Sequence, residues 1–390
     1  MRTGATDWLL VLAGLSAGGC VARSQEVTVR DAAGLRQALA QAQPGARLLV
    51  APGEYEGGLY FTDLHGADGA PITITAVDPS SPPKFMGGGS AFHFADVSHL
   101  VLEDLTFEGA TGNGLNIDDG GTFGSPAHHL TLRRLTITDV GPRGNCDGIK
   151  LSGVDDFRVE DCVIERWGDG GSAIDMVGCH RGTIEGCTFR GRDGVSGTGP
   201  QTKGGTSDIV IRRNRFENAG GRAVNVGGST GLEFFRPALQ GYEARAITVE
   251  GNVFIGSLAA VAFVGVDGAE FRWNTVHLPL KWCLRILQET TEPGFVPCRN
   301  VSFAHNLILF RSDQWSEGGC NIGPHTAPDT FRFVGNAWYC TDRPALGPTL
   351  PVPEQDGMVG RDPQLADPEN GDLSLRDGSP AAGKGHTALP

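Results

Sequence analysis

A five-residue block recurs nine times between Glu103 and Trp338, and a fixed-period repeat restricts the fold of a chain more than any other sequence feature. The block begins as Glu103-Asp104-Leu105-Thr106-Phe107 and ends as Val334-Gly335-Asn336-Ala337-Trp338. Its central residue is Leu105, Leu135, Cys162, Cys187, Asn214, Asn252, Asn274, Asn306 and Asn336 in turn, and the residue two places on is always large and apolar. Successive blocks are 22 to 38 residues apart.

One turn of a solenoid built from three short strands accounts for this pattern. Coils stack ~4.8 Å apart, as paired strands do, so a residue type repeated in one column lies on copies of itself. Asn side chains form amide ladders in such a column, and Asn tolerates the left-handed backbone of a sharp corner. Gly is abundant, 58 of 390 residues, and the apolar runs are short and rich in Val, Ile and Phe, as in an all-β chain with many turns. The expected fold is a single-stranded right-handed parallel β-helix spanning residues 25–390, with no second domain. Residues 31–43 read as a short amphipathic capping helix with Asp31 as N-cap. Solenoid ends must be covered. The closing segment is expected from about 350 through Asp372-Leu373-Ser374-Leu375 to Ala382, reached by the Pro-rich stretch 348–355.

A second column aligns Asp147–Gly153, Ser172–Gly178, Arg222–Gly228, Ala259–Gly265, Trp282–Gln288 and Gly319–Gly323. Strand alternation turns Ile149 and Leu151 inward and Lys150 outward. The next ladder residue lies 12 places after Lys150, Asp175, Thr202 and Ala262, but 27 after Asn225, 21 after Arg285 and 15 after Asn321. The surplus residues all leave one corner. Loops 229–247 and 289–302 are therefore expected to raise one wall beside the outward face, making a groove suited to an extended polymer.

The outward column then reads Lys150, Asp175, Thr202, Asn225, Ala262, Arg285 and Asn321. Lys203 falls one place out of register, facing inward, which is unfavourable for an ammonium. A bulge at Gly204-Gly205 would turn it outward, toward Arg222 and Asn225. Lys203 and Arg222 are the candidate catalytic residues. Lys150, Asn225, Arg236, Arg285 and Gln288 are the candidate substrate-binding residues. Asp147 and Asp175 are candidate calcium ligands, since calcium takes oxygen donors. Plainer readings stand beside these: Lys150 with Asp175 as a surface ion pair, Asn225 and Asn321 as ladder residues, Arg285 as a partner of Glu289, and His180 as a turn residue.

A net charge of -13 argues against nucleic acid, whose binding rests on neutralising phosphates. It leaves room for an anionic sugar polymer, because a basic groove can sit on an acidic protein. Gly87-Gly88-Gly89 opens no helix, and no Ser sits in a nucleophile elbow. Residues 8–15 are apolar, follow Arg2 and are too few to span a bilayer, so residues 1–24 read as a signal peptide. Cleavage after Ser24 releases the chain; alternatively Ala17-Gly18-Gly19-Cys20 resembles a lipoprotein box that lipidates Cys20, the one membrane attachment expected. The protein is expected to be exported, whether periplasmic, secreted or lipid-anchored at the cell surface, and monomeric. Eight Cys remain after Cys20, an even number that suits an oxidising compartment. Cys283 with Cys298 and Cys320 with Cys340 are candidate disulfides, and Cys162 and Cys187 are read as buried thiols.

From Val27 through the site region to about Gly228 the chain resembles the alginate lyase and chondroitinase B family of polysaccharide lyases. The resemblance implies β-elimination on an acidic, uronate-containing polysaccharide, with a Lys base, an Arg proton donor and often calcium to neutralise the substrate carboxylate. Lys203, shortly before Asn214 and Phe216, matches the family Lys by position. The family Arg precedes a His-Gly; here the corresponding stretch reads Val226-Gly227-Gly228 and the nearest Arg is Arg222. Asn145-Cys146-Asp147-Gly148 is also similar to the Asn-x-Asp-Gly of polygalacturonases, without their adjacent Asp pair or Gly-His-Gly. Hydrolysis is therefore the alternative chemistry, and a non-enzymatic glycan-binding surface protein the alternative class.

Overall fold

The computed structural model describes residues 26–192 and 197–389. The signal peptide, both cleavage readings and Cys20 lie outside the described residues. Each coil contributes three strands, and like strands of successive coils pair in parallel. The short face is a 12-stranded sheet running from Glu54–Glu56 to Met358–Val359. The other two faces form a 21-stranded sheet, joined where the strand Ser90–Glu103 runs straight across their shared corner.

The Asn column forms a continuous amide ladder. Asn214 Nδ2 donates to Asn252 Oδ1 at 3.0 Å, Asn252 to Asn274 at 3.0 Å, Asn274 to Asn306 at 3.2 Å and Asn306 to Asn336 at 2.9 Å. Each amide also donates to a backbone carbonyl of a neighbouring coil, for example Asn274 Nδ2 to Val249 O at 2.9 Å. The Asn residues are not themselves left-handed. The positive φ belongs to the residue before each ladder position, such as Arg213 (54°), Trp273 (48°) and His305 (55°). Asn thus stands in the column for its amide, which bridges coils, while its predecessor makes the corner. Two residues on, Phe189, Phe216 and Phe254 stack inside at 4.9 and 4.6 Å between ring centroids.

The N-terminal end is closed as the sequence suggests. Helix Ala32–Leu39 starts at Asp31, whose carboxylate accepts from Gly34 N at 2.7 Å, and buries Leu35 and Leu39 on the first coil. The C-terminal end differs from expectation. Its cap is the Pro-rich stretch itself: Leu346, Leu350 and Val352 pack on the core, and Glu354 accepts from Asn336 Nδ2 at 3.0 Å and from Trp338 Nε1 at 3.1 Å, terminating the ladder. Residues beyond 362 run back along the outside of the short sheet, where Leu365, Leu373 and Ala381 cover Leu307, Leu309 and Ala337.

All eight described cysteines are buried free thiols, so neither Cys283–Cys298 nor Cys320–Cys340 is bridged. Each lies in the solenoid interior as a small apolar residue, and an even count carries no information about pairing there.

Candidate functional site

The site lies on the face formed by strands Ile149–Ser152, Ser172–Val177, Thr198–Lys203, Arg222–Gly227, Ala259–Val264 and Trp282–Leu287. Strand pairing sets Lys150 against Asp175, Asp175 against Gln201, Gln201 against Asn225, Asn225 against Ala262, and Ala262 against Arg285. The column position expected for Thr202 is therefore held by Gln201. Thr202 is wholly buried and pairs with Val226. The count fails by one because the corner after Lys203 holds two glycines, Gly204 (φ 66°) and Gly205 (φ 90°), where the preceding coil has Gly178 alone. Plain alternation then turns Lys203 outward without a bulge.

Lys203, Lys150, Asp175 and Asp147 converge. Asp175 is fully buried. One of its carboxylate oxygens pairs with Lys150 Nζ, and the other lies 3.2 Å from Lys203 Nζ. Asp147 Oδ2 lies 3.8 Å from Lys150 Nζ, and Asp147 Oδ1 accepts from the backbone N of Ser172 at 2.7 Å. Burial, reinforced by Asp175, pushes the Asp147 carboxyl up to about 6. Burial opposes the Lys150 ammonium, but Asp175 and Asp147 outweigh it and hold this lysine above its ordinary value. Lys150 is thus a fixed cation. The two lysine side chains are 20 and 17% exposed, and of the four residues these two line the cleft.

Calcium does not fit these carboxylates. Asp147 and Asp175 are interleaved with two ammonium groups, and a cation placed between them would face Lys150 and Lys203 at short range.

The expected wall is present, and the residue that holds it is Glu243, wholly buried. Its carboxylate accepts from Gly204 N at 2.8 Å, Thr230 N at 3.0 Å and Thr230 Oγ1 at 2.8 Å, and from Thr290 Oγ1. It therefore ties the turn after Lys203 to both long loops. The loops also touch directly, with Phe235 edge-on to Phe295 at 5.5 Å and Val296 N donating to Gly241 O at 2.9 Å. Between wall and sheet lies a cleft of about 530 Å³, lined by Asp118, Asn145, Lys150, Lys203, Thr230, Phe234 and Arg236 among others.

The remaining candidates divide. Arg236 is a clamp rather than a free binding group: its guanidinium pairs with Asp119, donates to Phe234 O at 3.1 Å and covers the Phe123 ring at 4.0 Å. Gln288 is likewise structural, donating to Thr290 O and accepting from Cys298 N, both at 2.7 Å. Arg222 is not beside Lys203. It lies at the opposite end of the neighbouring strand, aligned with Thr198, and bonds Asn225 Oδ1 at 3.1 Å and Glu289 Oε1 at 2.7 Å. Glu289 is thus the partner of Arg222, and Arg285 instead donates to Asn321 Oδ1 at 2.8 Å and packs over Trp282 at 4.6 Å. Burial and the nearby Arg222 charge push the Arg285 guanidinium below its ordinary value. Asn225 and Asn321 belong to this outward face, not to the ladder. His180 pairs with Asp155 at 2.8 Å on the corner, outside the cleft.

Residues 90–276 match the family model described as a right handed beta helix region. No curated protein matches the sequence. Among solved structures, the PL6 family polysaccharide lyase from Pseudopedobacter saltans aligns with a TM-score of 0.57 at 15% identity, covering 93% of this chain and 99% of its own. The alginate lyase from Paenibacillus sp. str. FPU-7 aligns with a TM-score of 0.53 at 17% identity, covering 77% of this chain and 99% of its own. At these identities the likeness is one of fold: the chain is a right-handed parallel β-helix of the architecture used by polysaccharide lyases.

Proposed function

We propose that the protein is an exported polysaccharide lyase that cleaves a uronate-containing polymer by β-elimination in the Lys150–Lys203 cleft. The observation that carries this reading is the pair of amines presented at the cleft floor by one buried carboxylate. Elimination transfers the proton on the carbon bearing the uronate carboxylate to the base, forms a carbon–carbon double bond and expels the glycosidic oxygen, which takes up a proton from water. That carbon acid becomes reactive only when the neighbouring carboxylate is neutralised. Lys150, held charged, is suited to face that carboxylate, and Lys203, with its amine at the same floor, is assigned as the base, acting as the neutral amine while Lys150 alone keeps the charge opposite Asp175. Asp175 fixes the separation of the two amines. Arg222 and Arg285 extend the basic face along the sheet and are assigned to flanking uronates. Export through residues 1–24 belongs to the proposal, because a polymer meets its enzyme outside the cell.

Hydrolysis finds less support. It needs two carboxyl groups facing the sugar, whereas Asp147 and Asp175 have side chains 2 and 1% exposed and are committed to lysines. The test is to incubate the protein with alginate, polygalacturonate and chondroitin sulfate, following ultraviolet absorbance of the unsaturated product and reducing ends together. Both signals should rise on one of them and vanish in Lys203→Ala. Reducing ends without absorbance would mean hydrolysis, and retained elimination in Lys203→Ala would remove this lysine as the base.

A further inference from the structure

Outside the cleft, three histidines converge on the corner that opens the neighbouring face. Strand pairing aligns His128 with Ser98 of the preceding coil and sets His129 beside His99. His99 and His129 both have left-handed backbones, φ 49° and 55°. A left-handed residue breaks strand alternation, so the consecutive His128 and His129 both present their rings at the surface. The rings of His99 and His129 stack at 4.5 Å, His128 stands edge-on to His99 at 5.3 Å, and the Nδ1 atoms of His128 and His129 are 2.8 Å apart. One nitrogen from each ring lies within 4.8 Å of the other two.

We propose that His99, His128 and His129 bind a divalent transition-metal ion of the zinc, copper or nickel class. Imidazole nitrogens are the donors these ions select over calcium or magnesium. Three nitrogens around a tetrahedral zinc at ~2.05 Å stand about 3.3 Å apart. Here one pair is 2.8 Å apart and no pair exceeds 4.8 Å, so the three rings are already gathered at the spacing of a common ion. The neighbouring carboxylates do not compete for the rings: Asp156 is held by Arg181 at 2.8 and 2.9 Å, and Asp155 by His180 and Arg181 at 2.8 and 2.9 Å. His65 is engaged with Ser98 Oγ at 3.0 Å. Among the described residues no carboxylate hydrogen-bonds any of the three rings. His99 and His128 are half-buried and His129 is exposed, so a fourth position stays open to water.

The site would join two coils through side chains on strands Ser90–Glu103 and Ala127–Arg133, and it stands apart from the lysine cluster. Calorimetric titration of the full chain with zinc chloride in a non-chelating buffer tests it. One equivalent should bind, with affinity at least tenfold weaker in His99→Asn and in His129→Asn, Asn being chosen because it tolerates the left-handed backbone that both positions adopt. Cobalt(II) in place of zinc should give visible absorption bands of a nitrogen-rich tetrahedral site, lost in the same variants. Absence of zinc binding to the unaltered protein overturns the proposal. So does binding that survives both variants and is lost in His65→Ala, which would place the ion at Asp63, His65 and Asp96.

Discussion

Replacing Asp175 by Asn changes one buried charge and almost no volume, and it tests whether the cleft floor is a coupled electrostatic unit. In the folded protein the carboxylate faces two ammonium groups, Lys150 on one oxygen and Lys203 at 3.2 Å from the other, and has no exposure of its own. Removing one partner of a buried ion pair costs ~3–5 kcal/mol when the remaining charge is trapped. Two features lower that figure here. The two lysine side chains are 20 and 17% exposed and line the cleft, so their ends can turn into water, and Asp147 still faces Lys150 at 3.8 Å. The loss should therefore fall at or just below the bottom of that range, at ~2–3 kcal/mol. Urea unfolding followed by far-ultraviolet circular dichroism measures it as a lower midpoint at unchanged slope. The paired variant Lys203→Met should lose less, since Asp175 then keeps Lys150. If Asp175→Asn unfolds at the wild-type midpoint, the three groups are not coupled and the charge assignment of the cleft fails.

Two further outcomes follow from individual groups. The Asp147 carboxyl is pushed up to about 6 in the folded state, against 3.8 as its ordinary value, so between about pH 4 and 6 the folded protein holds a proton that the unfolded chain has released. Stability from this group therefore falls as pH rises through that window, by at most ~1.4 kcal/mol per pH unit; Asp147→Asn should flatten that part of the stability–pH profile, and an unchanged profile would refute the assignment. Asn274→Ala removes the acceptor for both Asn252 N and Asn252 Nδ2, each at 3.0 Å, and leaves Val249 O without its side-chain donor. At ~1–3 kcal/mol for a buried group left unsatisfied, the variant should lose at least ~2 kcal/mol in thermal unfolding, whereas the exposed Asn370→Ala should lose little.

The solenoid was legible in the sequence because stacking repeats one physical environment at a fixed column. Nine blocks from Leu105 to Asn336 therefore announce themselves without knowledge of any contact. The wall was legible for the same reason: lengths counted from Asn225 and Arg285 to the ladder exceed the bare coil. What counting cannot reveal is which corner absorbs a single surplus residue. Thr202 and Gln201 exchanged faces on one extra glycine at Gly204-Gly205, and the orientation of Lys203 followed. Side chains used twice were also hidden. Arg236 and Gln288 have the chemistry of binding groups, yet their partners Asp119 and Cys298 are named only by the fold. Glu243 falls within the long loop 229–247, where nothing in the sequence singles it out. Its role as the common acceptor for Gly204, Thr230 and Thr290 depends on three segments meeting at one point, which no local pattern encodes.

The convergence on Glu243 bears on how the cleft is made. A solenoid face alone is flat, and a flat face gives a polymer no fixed register. Here one buried carboxylate binds the backbone N of Gly204, directly after Lys203, and also binds the wall through Thr230 and Thr290. The strand end that carries the candidate base and the loops that bound the cleft are therefore positioned by the same group. Arg236 adds a second tie, drawing the wall onto Asp119 of an earlier coil across the same face. Lys203 is held at its amine by Asp175 and just beyond its backbone by the Glu243 turn, so the side chain is restrained at both ends beside the cleft. That double restraint, more than the mere presence of lysine on an exposed sheet, separates this face from the other two and supports assigning the chemistry to it.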